Sequence, residues 1–167
     1  MRIVLMLLSV FLIAGCASTV KETRQLNIVV DDYFNTYDRR IDVDHLISFY
    51  DEQAILQDII YGNDIKGRKQ IKNFLAWDQG EFSTFSKDGV LTITNQVIEN
   101  NTVITQGYFH AFTFNKQNLG PWLFIMVHEF NNEQKIVKQI DWINYTPRAN
   151  FLGGKDMNLL IKKKDFK

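Results

Sequence analysis

The sequence predicts an α+β domain with its helices gathered early and a long antiparallel sheet late. Two observations carry this. Apolar residues recur every three or four positions from Leu26 to Ile41, and beyond Gly80 the apolar period becomes two over four long runs. The connections between those runs are short and rich in turn formers, as expected of a meander. Composition adds a third: 46% hydrophobic and 13% aromatic residues suffice for a core, and a formal net charge of zero leaves no nucleic-acid footprint.

The elements follow in order. Leu26, Val29, Val30, Tyr33, Phe34, Tyr37 and Ile41 form one helical stripe, with Asp31, Asp32, Asn35 and Asp38 opposite it. Asp42 is placed to cap a second helix that turns Val43, Leu46, Ile47 and Tyr50 inward. Ala54 to Tyr61 reads as a strand ending in the Gly62-Asn63-Asp64 turn, and a third helix is expected from Arg68 to Asp78. Four strands then span Val90–Glu99, Val103–Phe114, Trp122–Phe130 and Lys135–Tyr145. There is no internal repeat, and the length left after removing the first fifteen residues, about 150, is that of one domain.

Those first residues carry an address. Arg2 precedes an apolar run from Ile3 to Ile13, and the small pair Ala14-Gly15 stands before Cys16, the only cysteine. This is the layout of a signal peptide, too short for a permanent membrane helix of roughly 20 residues. Ile13-Ala14-Gly15-Cys16 resembles the bacterial lipobox, which implies cleavage before Cys16 and acylation of that residue. Each buried methylene of an acyl chain contributes about 0.8 kcal/mol, so several chains give stable anchoring. By the same resemblance, Ala17 in place of an Asp implies the outer membrane, with the domain on its periplasmic face. Residues 16–25 then form a tether. Residues 148–167 form a basic tail in which Lys162-Lys163-Lys164 suits a solvated terminus or contact with anionic headgroups.

The order helix, helix, strand, helix, meander is similar to that of the NTF2-like superfamily and its SnoaL-like members. Local stretches agree. Leu46 to Asp58 resembles the family's "aLYadDAvfeD", Gly67-Arg68-Lys69-Gln70-Ile71 its "GrdaI", and Lys135 to Tyr145 its closing "GkIvrqiDyvdY". The resemblance covers Ile28 to Pro147, within a domain taken as 26–147. It implies a cone, with three N-terminal helices packed in a curved antiparallel sheet around an apolar pocket. Many chemistries share that fold, so the site must be argued residue by residue.

Asp58 leads. Ala54, Leu56, Asp58 and Ile60 share one strand face, so a carboxylate stands among apolar neighbours, where burial favours its protonated form. By resemblance its position matches the catalytic aspartate of the ketosteroid isomerases; alternatively it caps the Gly62 turn. His128 shares a face with Trp122, Phe124, Met126 and Phe130, and is either an acid/base partner of Asp58 or a hydrogen-bonded core residue. His110, beside Tyr108 and Phe112, is a weaker form of the same argument. Tyr33, Tyr37 and Tyr50 can bring phenols to the pocket or simply fill the core. In the last strand Trp142 and Asn144 are expected to face the pocket, and Asp141 to make a structural hydrogen bond or a dimer contact. The family's oxyanion tyrosine falls on Phe34 and its second oxyanion acid on Met126, so steroid-isomerase chemistry lacks its stabilising donors.

Two functions remain. One is a membrane-anchored binding domain holding a small apolar or amphipathic molecule against Tyr33, Tyr37, Phe124, Met126, Trp142 and Asn144. The other is a lyase, isomerase or hydrolase with Asp58 as general base and His128 or a tyrosine assisting. No metal site and no cofactor are expected. A homodimer is expected through the back of the sheet, because Leu123, Ile125 and Val127 make its outer face apolar as well.

Overall fold

The computed structural model describes residues 25–87, 89–145, 158 and 161. The expected signal segment, Cys16, most of the expected tether and all of the tail except Asn158 and Ile161 lie outside the described residues. Helix α1 occupies residues 25–39 and buries Leu26, Val30, Tyr33, Phe34 and Tyr37 of the expected stripe; Val29 is half-buried, and Ile41, beyond the helix end, is exposed. Helix α2 (Val43–Ser48) starts as expected, with the Asp42 carboxylate accepting from the His45 N–H at 2.8 Å. It is shorter than expected, because Tyr50 already belongs to strand β1 (Tyr50–Asp58). Strand β2 (Asn63–Lys66) hairpins back on β1, and α3 (Arg68–Leu75) follows, closed by Ala76 in the left-handed conformation.

The second half gives β3 (Phe82–Thr84), β4 (Leu91–Glu99), β5 (Thr102–Phe109), β6 (Phe112–Phe114), β7 (Gln117–Leu119), β8 (Trp122–Phe130) and β9 (Ile136–Ile143). The expected strand Val103–Phe114 is two strands, broken at His110-Ala111. Its second piece joins β3 and β7 in a small sheet, with Asn115 and Lys116 both at positive φ in the tight β6–β7 turn. The main sheet runs β2-β1-β9-β8-β5-β4.

Two expectations about the architecture need correction. The sheet is curved but mixed rather than antiparallel throughout, because β1 and β9 pair in parallel. Their long connection, which includes α3 and the meander, makes a parallel pairing available to them. Among the described residues only α1 and α2 precede the sheet, since α3 comes after the β1–β2 hairpin and packs on β1.

Register decides which residues share the interior. Residues directly opposite in a ladder point to the same side. Asp58, Asp141, Met126 and Thr105 therefore form one transverse row, and Leu56, Gln139, His128 and Val103 the next. All eight are buried. Helix α1 lies across them: the Tyr33 ring meets His128 edge-on at 5.0 Å, and Phe34 does so at 5.7 Å. The far end of α1 is tied to β4 by Asp38, whose carboxylate accepts from the Val90 and Leu91 N–H groups at 2.7 and 2.8 Å. Gly89 makes this approach possible, because a Cβ there would meet that carboxylate at 1.9 Å.

Candidate active site

Period two on β9 puts Gln139 and Asp141 on one inward face, and the parallel ladder sets Asp58 beside Asp141. Two carboxyl groups thus meet in the interior, Asp58 with 2% of its surface exposed and Asp141 with 5%. Asp58 closes the 59–62 turn, one oxygen accepting from the Ile60 and Tyr61 N–H groups at 3.0 and 3.2 Å. It is therefore both buried and a turn cap, the two roles its position allowed. Asp141 is held differently. The Gln139 amide nitrogen lies 2.9 Å from one of its oxygens and 3.0 Å from the other. Burial pushes the Asp141 carboxyl up to about 7; the Gln139 amide opposes that rise, and the negative charge of Asp58 adds to it.

Behind Gln139 stand two buried phenols. The amide oxygen accepts from the Tyr33 hydroxyl at 3.2 Å and from the Tyr50 hydroxyl, and the two hydroxyls are 2.9 Å apart. Burial raises both phenols well above their ordinary value. Around this chain, Tyr37 is pushed up to about 12 by burial, with the Arg40 guanidinium opposing the shift. Tyr145 is raised by burial and by the tyrosine and carboxylate charges near it.

Arg40 itself lies within 6 Å of four ring centroids, those of Trp77 (4.7 Å), Phe82 (4.9 Å), Phe112 (5.4 Å) and Tyr37 (5.9 Å). The rings join the small sheet to α1, and burial lowers the guanidinium's proton affinity. Aromatic contacts continue from Phe112 to Trp122, from Trp122 to Tyr145 and from Tyr145 to Tyr61, a belt of rings past the ends of β8 and β9. At the same ends Asn158 accepts from the Leu123 N–H at 3.0 Å and donates to the Asn144 carbonyl at 2.9 Å.

His128 is buried in the row next to Asp58's, with Gln139 as its neighbour. Burial lowers its ring to about 4, partly offset by Gln139, so the imidazole is neutral at pH 7. Its Nε2 has no hydrogen-bond partner among the described residues. The register brings Asp58 to Asp141, not to His128. His110 is also buried, on the far side of the sheet's end, with Nε2 2.9 Å from the Thr92 hydroxyl.

The six residues expected to line one pocket divide between two places. Tyr33, Tyr37, Phe124 and Met126 are core. Trp142 and Asn144 do not face the interior: Trp142 is 41% exposed, and both line a groove of about 380 Å³ on the outer face of the sheet, floored by Phe124 beneath Gly107. The reason is register, since Met126 opposite Asp141 turns odd-numbered residues of β9 inward. A larger concavity of about 810 Å³ lies between the 100–101 turn, the 131–134 loop and the start of α1, and its lining is mostly amide side chains. Among the described residues no group of three or more His, Cys, Asp or Glu is arranged to hold a metal, and no helix is long and apolar enough to cross a membrane. Sequence reasoning missed Gln139 and turned Asp141 to the outer face, although the structural hydrogen bond expected of Asp141 is present, to Gln139. Lys138 was the available cue, since a lysine of the same parity as Trp142 marks that side as outward.

No protein-family model and no curated protein matches the chain. Solved structures do. An NTF-2 like protein of unknown function from Burkholderia xenovorans aligns with a TM-score of 0.56 at 18% identity, over 81% of this chain and 97% of that one. A protein assigned to the SnoaL-like polyketide cyclases, from Shewanella putrefaciens, aligns at 0.60 and 17% identity, over 77% and 96%. The fold is NTF2-like. An LEH-like epoxide hydrolase from M. tuberculosis shares it at a TM-score of 0.55 and 15% identity, over 75% of this chain and 84% of that one. At these identities the likeness concerns the NTF2-like fold, and chemistry rests on the side chains present.

Proposed function

We propose that this NTF2-like domain is an acid–base enzyme, a lyase, isomerase or hydrolase acting on a small apolar or amphipathic molecule, and that Cys16 anchors it to the outer membrane. The observation that carries the reading is the buried carboxyl pair: Asp141, held near 7 beside Asp58. A group poised there can give and take a proton at neutral pH, and two carboxyls with different surroundings suit an acid and a base. In this reading Asp141 exchanges the substrate proton, and Asp58, fixed by two backbone N–H groups, supplies the like charge that makes Asp141 hold its proton. The rings of Tyr61, Trp122 and Tyr145 seat the apolar body of the substrate.

The test is turnover of enolisable ketones and of epoxides by the full chain, compared with Asp141→Asn and Asp58→Asn. A general acid or base contributes about 10²–10⁴-fold, so turnover is expected to fall by at least 10² in Asp141→Asn. Equal turnover in that variant removes the reading. Thermal stabilisation by the same compounds without turnover leaves a binding domain instead.

A further inference from the structure

We propose that Gln139 is a positioning residue, its amide oriented by the charge state of Asp141 and backed by Tyr33 and Tyr50, so that the three form a hydrogen-bonded chain that reads the proton on Asp141. The inference rests on the acid–base reading of the carboxyl pair, and concerns how that pair is regulated.

A primary amide can be turned over unless its neighbours distinguish oxygen from nitrogen. Here they do. An ionised carboxylate only accepts, so Asp141 selects the NH₂ side of Gln139, at 2.9 and 3.0 Å. The oxygen is left to Tyr33 and Tyr50, which can donate to it. All four side chains are buried, so no water competes for these groups at low cost. When Asp141 takes a proton it becomes a donor, and the whole chain can reverse. The amide oxygen then accepts from the carboxyl O–H, and the amide nitrogen donates to the Tyr50 oxygen. The tyrosines, far from the carboxyl in sequence, thereby set how tightly it holds its proton.

The other titratable and charged groups around this chain are Asp58 on β1, Tyr37 and Arg40 at the end of α1, His128 on β8 and Tyr145 after β9. Of these, His128 bonds the Gln139 amide and Asp58 acts on the Asp141 carboxyl through its charge. Removing the amide donors takes away a hydrogen bond to the charged form, so the proton is held more tightly.

The experiment is a ¹³C NMR titration of the Asp141 carboxyl in the full chain, assigned by its absence from Asp141→Asn. In Gln139→Met the midpoint is expected to rise by about one pH unit, the effect of losing a charge-assisted bond. Tyr50→Phe keeps the ring and removes only the hydroxyl, and should shift the midpoint in the same direction by less. An unchanged midpoint in folded Gln139→Met or Tyr50→Phe, with only a lower melting temperature, shows a structural role and overturns the proposal. The titration is read without substrate, so it stands apart from the turnover test. Loss of turnover in Asp141→Asn with no midpoint shift in Gln139→Met sinks this inference alone.

Discussion

Asp141 and His128 make opposite demands on the pH dependence of stability, and their near cancellation can be tested. Asp141 has a folded value of about 7 against an ordinary 3.8, so the folded state binds its proton more tightly between those limits. Its contribution is fully present below about pH 4 and is lost as pH rises to 7. At about 1.4 kcal/mol per unit, this amounts to about 4 kcal/mol. His128 is lowered from 6.5 to about 4 by burial, so the unfolded state binds its proton more tightly in that window. Its contribution is present above pH 6.5 and is lost on acidification to pH 4, about 3 kcal/mol by the same conversion. Between pH 4 and 6.5 the two slopes cancel in the native chain. Asp141→Asn leaves His128 unopposed, and stability should fall by about 3 kcal/mol from pH 6.5 to 4 relative to the parent. His128→Phe keeps a ring against Tyr33 and Phe34 and leaves Asp141 unopposed; relative to the parent, stability should rise by a similar amount over the same window. Urea denaturation at fixed ionic strength from pH 4.5 to 7.5 reads both, and the surface carboxylates common to all three proteins drop out of the differences. Parallel curves for the parent and Asp141→Asn would refute the argument.

Three further predictions concern the scaffold. Leu56 is fully buried between β9 and the helices, so Leu56→Ala should cost about 2–5 kcal/mol by urea denaturation at pH 7. Asp38→Ala strips the acceptor from two backbone N–H groups at the start of β4 and should cost about 1–3 kcal/mol, with Asp38→Asn recovering part because its amide oxygen still accepts. The outer face presents Val97, Ile104, Ile125 and Trp142 to solvent, and in our reading a second copy covers them. Sedimentation at micromolar concentration should give a dimer that Ile104→Glu with Ile125→Glu converts to monomer; a monomeric parent contradicts the dimer.

Long periodic elements were legible. The stripe of α1, the Asp42 cap and the bounds of β8 all follow from spacing, because each element has one buried face and enough length for the pattern to repeat. Strands β3, β6 and β7 have three residues each, too few for a period, and their pairing depends on partners distant in sequence. Asp58's burial was legible from its parity with Leu56. The face of Asp141 was harder to read, because the outward residues Ile140 and Trp142 are as apolar as a core and Lys138 alone marked that side as outward. Where both faces of a strand are apolar, hydrophobicity no longer says which way it points, and only its register against neighbours decides. Gln139 offered no signal, since one buried amide leaves no pattern.

The parallel seam between β1 and β9 joins the first and last strands of the main sheet, and the two aspartates sit on opposite sides of it. A nascent chain cannot unite them until almost all of it has emerged, so each carboxylate stays hydrated while the meander forms. Charge is withdrawn from water only at the closing step, and a chain cut short before β9 keeps Asp58 without its counterpart. In our reading, the carboxyl pair is assembled only when β9, the last strand of the sheet, docks on the first.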